Sequence, residues 1–215
     1  IAAFAWYVKN KVRPLGFKVI GLPCQLMGTG MAFSWVDINK VSLASGHIVE
    51  DMKLGTDLAR INKAPIFLPE ALVTSVFPPS DAATNTQRAR WEHGHLSVIL
   101  NEVPKLMIGA IKSKNMQMFG LACDLLIPPL AMLTLMCLIV FVASLIFGNQ
   151  LVLLLSLGLL GCLLIAVLLA WYKFGQAIIS FKQLCYAPIY ALVKIPLYIK
   201  FFLNRQVEWV RSKRD

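Results

Sequence analysis

Within ten residues, Thr86 to His95 (TQRARWEHGH), this chain gathers the groups best suited to hold an anionic, ring-shaped ligand. Arg88 and Arg90 carry planar guanidinium forks that match phosphate oxygens in pairs. Trp91 offers a flat apolar face on which a sugar ring can stack, and Gln87 adds a neutral amide. The plainer reading is a basic helical turn whose arginines meet lipid phosphates. His93 and His95 have no evident third ligand, which argues against a metal pair. Two further groups could do chemistry. Glu50-Asp51 opens a helical pattern running to about Asn62, a position that the helix dipole favours by about 0.3–1 kcal/mol per carboxylate. The same field keeps a carboxylate ionised, as a general base must be. Gly28-Thr29-Gly30 lets backbone N–H groups approach a ligand closely, although such a triplet is more often a simple turn.

The elements that must position these groups divide by composition. The chain has 215 residues, of which 58% are hydrophobic and 15% charged. An ordinary soluble domain has about 45–50% and about 25%, so a membrane protein is expected. Lys and Arg number 13 in residues 1–117, none in 118–172 and 8 in 173–215. The uncharged runs Leu130–Phe147 and Leu151–Trp171 span roughly 27 and 31 Å as helices, about the depth of a bilayer's hydrocarbon. Gly148, Asn149 and Gln150 separate them, which predicts a tight hairpin with both basic flanks in the cytoplasm. Asp124, ahead of Pro128-Pro129, is expected near the headgroups. Beyond Trp171, lysines, tyrosines, Pro188 and Pro196 interrupt the apolar pattern. That suits an interfacial segment better than a third span over about Ile178 to Leu203. Cys24, Cys123, Cys137, Cys162 and Cys185 show no paired spacing, so neither a disulfide framework nor a zinc site is indicated.

Residues 1–117 read as part of a soluble α/β unit. IFL and ALVTSVF look like short strands bounded by Pro69, Pro78 and Pro79. From Leu96, residues Ile99, Leu100, Val103, Leu106, Met107 and Ile111 form one apolar helix face with Lys105, Lys112 and Lys114 beside it. The expected organisation is a partial catalytic domain (1–95), an amphipathic interfacial helix (96–117), two transmembrane helices (118–171), and a basic interfacial helix with a cytoplasmic tail (172–215).

In order, Gly28-Thr29-Gly30, Val49-Glu50-Asp51 and Gln87-Arg88-Ala89-Arg90-Trp91 followed by membrane spans resemble the C-terminal half of membrane-bound family 2 glycosyltransferases. That group contains cellulose, hyaluronan and chitin synthases, and Gln-x-x-Arg-Trp is its most telling signature. The resemblance implies an α/β fold of the GT-A kind and inverting transfer of a sugar from a nucleotide-diphosphate donor to a saccharide or lipid-linked acceptor hydroxyl. It makes Asp51 the general base and Glu50 its acidic neighbour. Gln87, Arg90 and Trp91 would line the acceptor and diphosphate end, with Gly28, Thr29 and Gly30 near the acceptor sugar. The resemblance also implies Mg²⁺ or Mn²⁺ held by an Asp-x-Asp element, and a bacterial inner-membrane location with the catalytic part and C-terminus cytoplasmic. No Asp-x-Asp occurs in these 215 residues, and the chain opens on Ile1. It therefore reads as a fragment, inactive by itself, whose donor half lies upstream or is absent. No nucleic-acid partner is expected, and partner subunits or further helices would complete any polymer channel.

Three rivals remain open on the residues alone. A transferase that adds one sugar to a membrane lipid is the nearest, and product length separates it from a polymer synthase. A transporter should carry polar or broken helices near the midplane, whereas these spans are aliphatic. A noncatalytic membrane adaptor explains the spans but leaves the three ordered clusters as coincidence.

Overall fold

Two acidic residues and an apolar stripe define a central helix of the chain. In α4 (Glu50–Arg60), Glu50 and Asp51 occupy the first turn, where the macrodipole favours them, and Met52, Leu58 and Ala59 turn inward. Asn62, at φ 62°, ends the helix in the left-handed region, and the Lys63 N–H returns to the Leu58 carbonyl at 2.9 Å. The computed structural model describes residues 1–43, 46–74, 81–148 and 150–203. These divide into two units, one of residues 13–128 with 200–203, the other of residues 1–12 with 129–199.

The first unit is helical. Its elements are α2 (Arg13–Val19), the short α3 (Trp35–Ile38), α4, α5 (Asp81–Asn101), α6 (Val103–Ser113) and α7 (Met116–Leu126); α1, introduced below, precedes them. The core lies among α4 to α7, where Val98, Leu106, Leu121 and Leu125 are fully buried beside Met52 and Ala59. Each such side chain contributes about 1.5–3 kcal/mol. Lys114 at φ 51° closes α6, and the Asn115 side chain caps α7 by accepting from the Met118 N–H at 3.0 Å. Arg60 reaches from α4 to Glu102, between α5 and α6, at 2.8 Å. Burial pushes the Glu102 carboxyl up, but the hydrogen bond and charge of Arg60, with Lys53 and Lys105, outweigh it and hold the group below the ordinary glutamate value.

The expectation of an α/β fold is overturned, because no β-strand occurs among the described residues. The segments read as strands show why. IFL is extended, but its neighbourhood makes one cross-chain backbone hydrogen bond among the described residues, from the Cys24 N–H to the Pro65 carbonyl at 3.1 Å. A strand is defined by a ladder of such bonds, and Pro65 and Pro69 have no N–H to donate. Ile66, Leu68, Leu72 and Val73 are exposed rather than packed on a sheet face. The second half of ALVTSVF, with Pro78 and Pro79, lies outside the described residues, as does the basic tail from Asn204 onward.

The second unit contains α1 (Ala2–Tyr7) with the π-helical turn Val8–Val12, and the hairpin of α8 (Leu130–Phe147) and α9 (Gln150–Ala170). Pro128-Pro129 precede α8, and Gly148 at φ 64° ends it. The two helices pack on each other, and their buried Ser144 and Ser156 hydroxyls meet at 3.2 Å. Only 11% and 6% of their most apolar windows are buried, so these are not the core helices of a soluble domain. Both are long and apolar enough to cross a membrane. A second π-helical turn, Trp171–Gly175, follows α9, and Phe4 is buried against Gly175. The chain then breaks into α10 (Phe181–Cys185), α11 (Ala187–Val193) and α12 (Ile195–Leu203). Prolines at the starts of α11 and α12 fall where their missing N–H costs nothing. These three pieces do not form one uninterrupted span.

Candidate active site

Glycine stands where the backbone meets Asp51. Residues 22–27 run without regular structure along α4: a Cβ on Gly55 would meet the Leu26 side chain at 3.5 Å, and one on Gly28 would meet the Asp51 Oδ2 at 3.3 Å. Two residues of extended chain cover about the same distance as one helical turn, so the Leu26 and Gly28 contacts match Gly55 and Asp51 in register. Gly28 has φ 82° and Gly30 φ 65°. Both lie in the left-handed region that glycine adopts without strain. Gly30 is seated against Val73, where a Cβ would come within 2.7 Å of a methyl group. The Gly28-Thr29-Gly30 turn and Asp51, 21 residues or more apart in sequence, therefore share one place.

Helix α5 meets the start of α4 through Gly94, a residue that the motif does not include. A Cβ on Gly94 would overlap a Val49 methyl outright and approach the Ile48 Cγ2 at 3.2 Å. Thus α5 lies directly on the residues that open α4. Gln87, Arg90, Trp91 and Gly94 fall within about 100° of arc on a helix, so they form one stripe. Trp91, Arg90 and Gln87 stand about 4.5, 6 and 10.5 Å along the axis from that contact. All three side chains are partly buried. Arg88 lies about 100° from Gln87 and about 120° from Gly94, off the stripe, so the two arginines do not serve one ligand face.

The two acidic residues of the pair differ in setting, Glu50 being exposed and Asp51 half-buried. Ahead of them the His47 Nδ1 accepts the Val49 N–H at 3.3 Å, which steadies the entry to the helix. The His93 and His95 pair is explained by packing. The His95 Nε2 lies 2.9 Å from the Leu125 carbonyl, an acceptor, so that nitrogen carries the proton and ties α5 to α7. His93 meets the Phe201 ring edge-on at 5.4 Å. Among the described residues no group of three or more His, Cys, Asp or Glu could hold a metal ion. The resemblance places the Mg²⁺ or Mn²⁺ ligands mainly outside this chain.

Asp124 has protein partners, and its depth in a membrane is a separate matter. It is fully buried on α7, 2.7 Å from the Arg13 Nε, and accepts the Gln25 N–H at 2.7 Å. Burial pushes the neighbouring Cys24 thiol up to about 12, with the Asp124 charge adding to the shift and Arg13 opposing it. The shift favours the neutral thiol. Gly94 was also missed as a site residue. Its signal was available, since glycine inside a helix costs about 1 kcal/mol against alanine and is kept there for close packing.

No curated protein and no solved structure matches the chain. The sequence matches the family described as glycosyl transferase family group 2 over residues 11–199, which includes the turn, the acidic pair, the Gln-x-x-Arg-Trp stripe and both apolar helices; the chain belongs to that family.

Proposed function

We propose that this chain forms the acceptor side of an inverting, membrane-embedded glycosyltransferase. Family membership makes it a transferase that takes a nucleotide sugar and an acceptor. The finer reading is carried by one observation, that Gly28 and Gly94 both lie against residues 48–51 at the start of α4.

In this reading Asp51 removes the proton from an acceptor hydroxyl as that oxygen attacks the anomeric carbon from the face opposite the nucleotide diphosphate, so configuration inverts. Glu50 adds negative potential beside the base. Arg90 offsets charge growing on the departing diphosphate. Trp91 holds the acceptor ring in line, Gln87 binds its hydroxyls, and the Gly28-Thr29-Gly30 backbone forms the wall behind the base. A polysaccharide chain is the proposed acceptor, and the two apolar helices support placing the site beside a bacterial inner membrane, with the catalytic part on the cytoplasmic face. Because no Asp-x-Asp occurs in the 215 residues, they are not expected to transfer sugar alone. Transfer by the isolated chain would refute that.

The decisive experiment is Asp51→Asn in the full-length protein. Loss of a general base lowers turnover by about 10²–10⁴-fold, with the thermal transition retained. An adaptor would be indifferent to the change. Product length, read by size separation, distinguishes a polymer from a single sugar on a lipid.

A further inference from the structure

One stripe of α7 grips the segment that leads to the glycine turn at three successive points. Gln117, Gly120 and Asp124 lie at i, i+3 and i+7, on one helix face. The Gln117 Nε2 donates to the Gly21 carbonyl at 3.1 Å. Gly120 receives Leu22 and Pro23, whose atoms would lie 2.9 and 3.1 Å from a Cβ there. The Asp124 Oδ2 accepts the Gln25 N–H at 2.7 Å, while its Oδ1 is paired with Arg13.

The core does not need this carboxylate. Leu121 and Leu125 on the same helix are fully buried without polar partners, and exchanging a buried ion pair for apolar groups is often neutral or stabilising. What Asp124 does that a leucine could not is to hold a backbone N–H in a segment with little regular bonding. Among the described residues, the Cys24 N–H to Pro65 bond is the nearest such restraint beyond the bonds of Gly21 and Leu22 back to Lys18 and Phe17. Three residues after Gln25, Gly28 touches Asp51.

We infer that Asp124 is a positioning residue of the transfer site: with Gln117 and Gly120 it forms a clasp on α7 that holds residues 21–25 and thereby sets the Gly28-Thr29-Gly30 turn against Asp51. This rests on the proposed reading of the turn as the acceptor side.

The test compares the full-length protein in detergent with Asp124→Asn, with the paired change Arg13→Met and Asp124→Leu, and with Gln117→Ala. The paired change removes both charges together, so neither is left buried alone. Hydrogen exchange read by mass spectrometry should show the peptide Gln25 to Met31 exchanging about tenfold faster in the paired variant. Peptides from Met52 to Ala59 and from Val103 to Ala110 should keep wild-type rates. Unchanged exchange at 25–31 overturns the clasp. If the paired variant does not fold, Asp124→Asn and Gln117→Ala decide, and no acceleration in either overturns it.

Turnover is measured with UDP-glucose, UDP-N-acetylglucosamine and GDP-mannose, using whichever the wild type consumes. The clasp predicts a kcat lower by about 10–100-fold, the cost of misplacing a reacting group by about 1 Å. The KM for the nucleotide sugar should stay within about twofold, since the clasp acts on the base and acceptor side. Faster exchange at 25–31 with unchanged kcat supports the clasp and overturns the acceptor-side reading of the turn. An inactive Asp51→Asn together with unchanged exchange in the Asp124 variants overturns the clasp alone.

Discussion

At position 94 a single hydrogen in place of a methyl group lets α5 rest on the residues that open α4. Alanine there would gain about 1 kcal/mol in helix propensity. It would also drive a Cβ into Val49, an overlap that costs about 1–3 kcal/mol in a packed interior. The overlap should win. Gly94→Ala is expected to lower the melting temperature and to reduce transfer, and Val49→Ala in the same protein should restore part of both, read as a double-mutant cycle. An additive pair would show that α5 does not lean on Val49. Gly28 has a different constraint. Its φ is 82° and a Cβ there would lie 3.3 Å from the Asp51 Oδ2, so Gly28→Ala strains the backbone and crowds Asp51. Glu50, Asp51, Gln87, Arg90 and Trp91 were legible as candidates residue by residue, since the chemistry their side chains could do is plain in one dimension. The glycines beside them were legible as turns, but not as contacts.

At the level of elements, the tie between α4 and the α5–α6 junction has a pH signature. The Glu102 carboxyl is held below its ordinary value in the fold, whereas in the unfolded chain it titrates near about 4.3. A folded value below the unfolded one means that the contribution is complete above the unfolded value and is lost as pH falls through the folded one. Glu102→Gln should therefore lower stability at pH 7 by about 1 kcal/mol, given that Arg60 is about one-third exposed. The difference should shrink towards zero below about pH 4. Thermal unfolding of both proteins across that range checks it, and a difference that grows on acidification would sink it. Elements with a strong period were legible: α4 begins at Glu50, and α8 runs Leu130–Phe147, as their patterns require. The expected strands failed for a physical reason. A short apolar run has the same look whether or not a neighbour supplies its hydrogen bonds, and IFL has one such bond nearby where a strand needs several.

Across the whole molecule, two apolar helices with 11% and 6% of their windows buried leave an aliphatic surface that water does not favour. The full-length protein should remain in the membrane pellet through alkaline carbonate and high-salt washes and leave it only with detergent. Release by carbonate would overturn the reading that α8 and α9 span. What the sequence determined by itself follows from properties that add along the chain. Composition and uninterrupted apolar length mark the candidate spans, and motif order pointed to the family. The tertiary structure decided whatever depends on pairs of residues far apart. It put Gly28 beside Asp51 and Gly94 on Val49, and it buried Asp124 with Arg13 and the Gln25 backbone, 99 residues away. It also left the expected strands without a ladder among the described residues. Local sequence sets which conformations a segment favours, but the partner of a buried carboxylate or of an extended backbone is chosen by the packing of the whole unit.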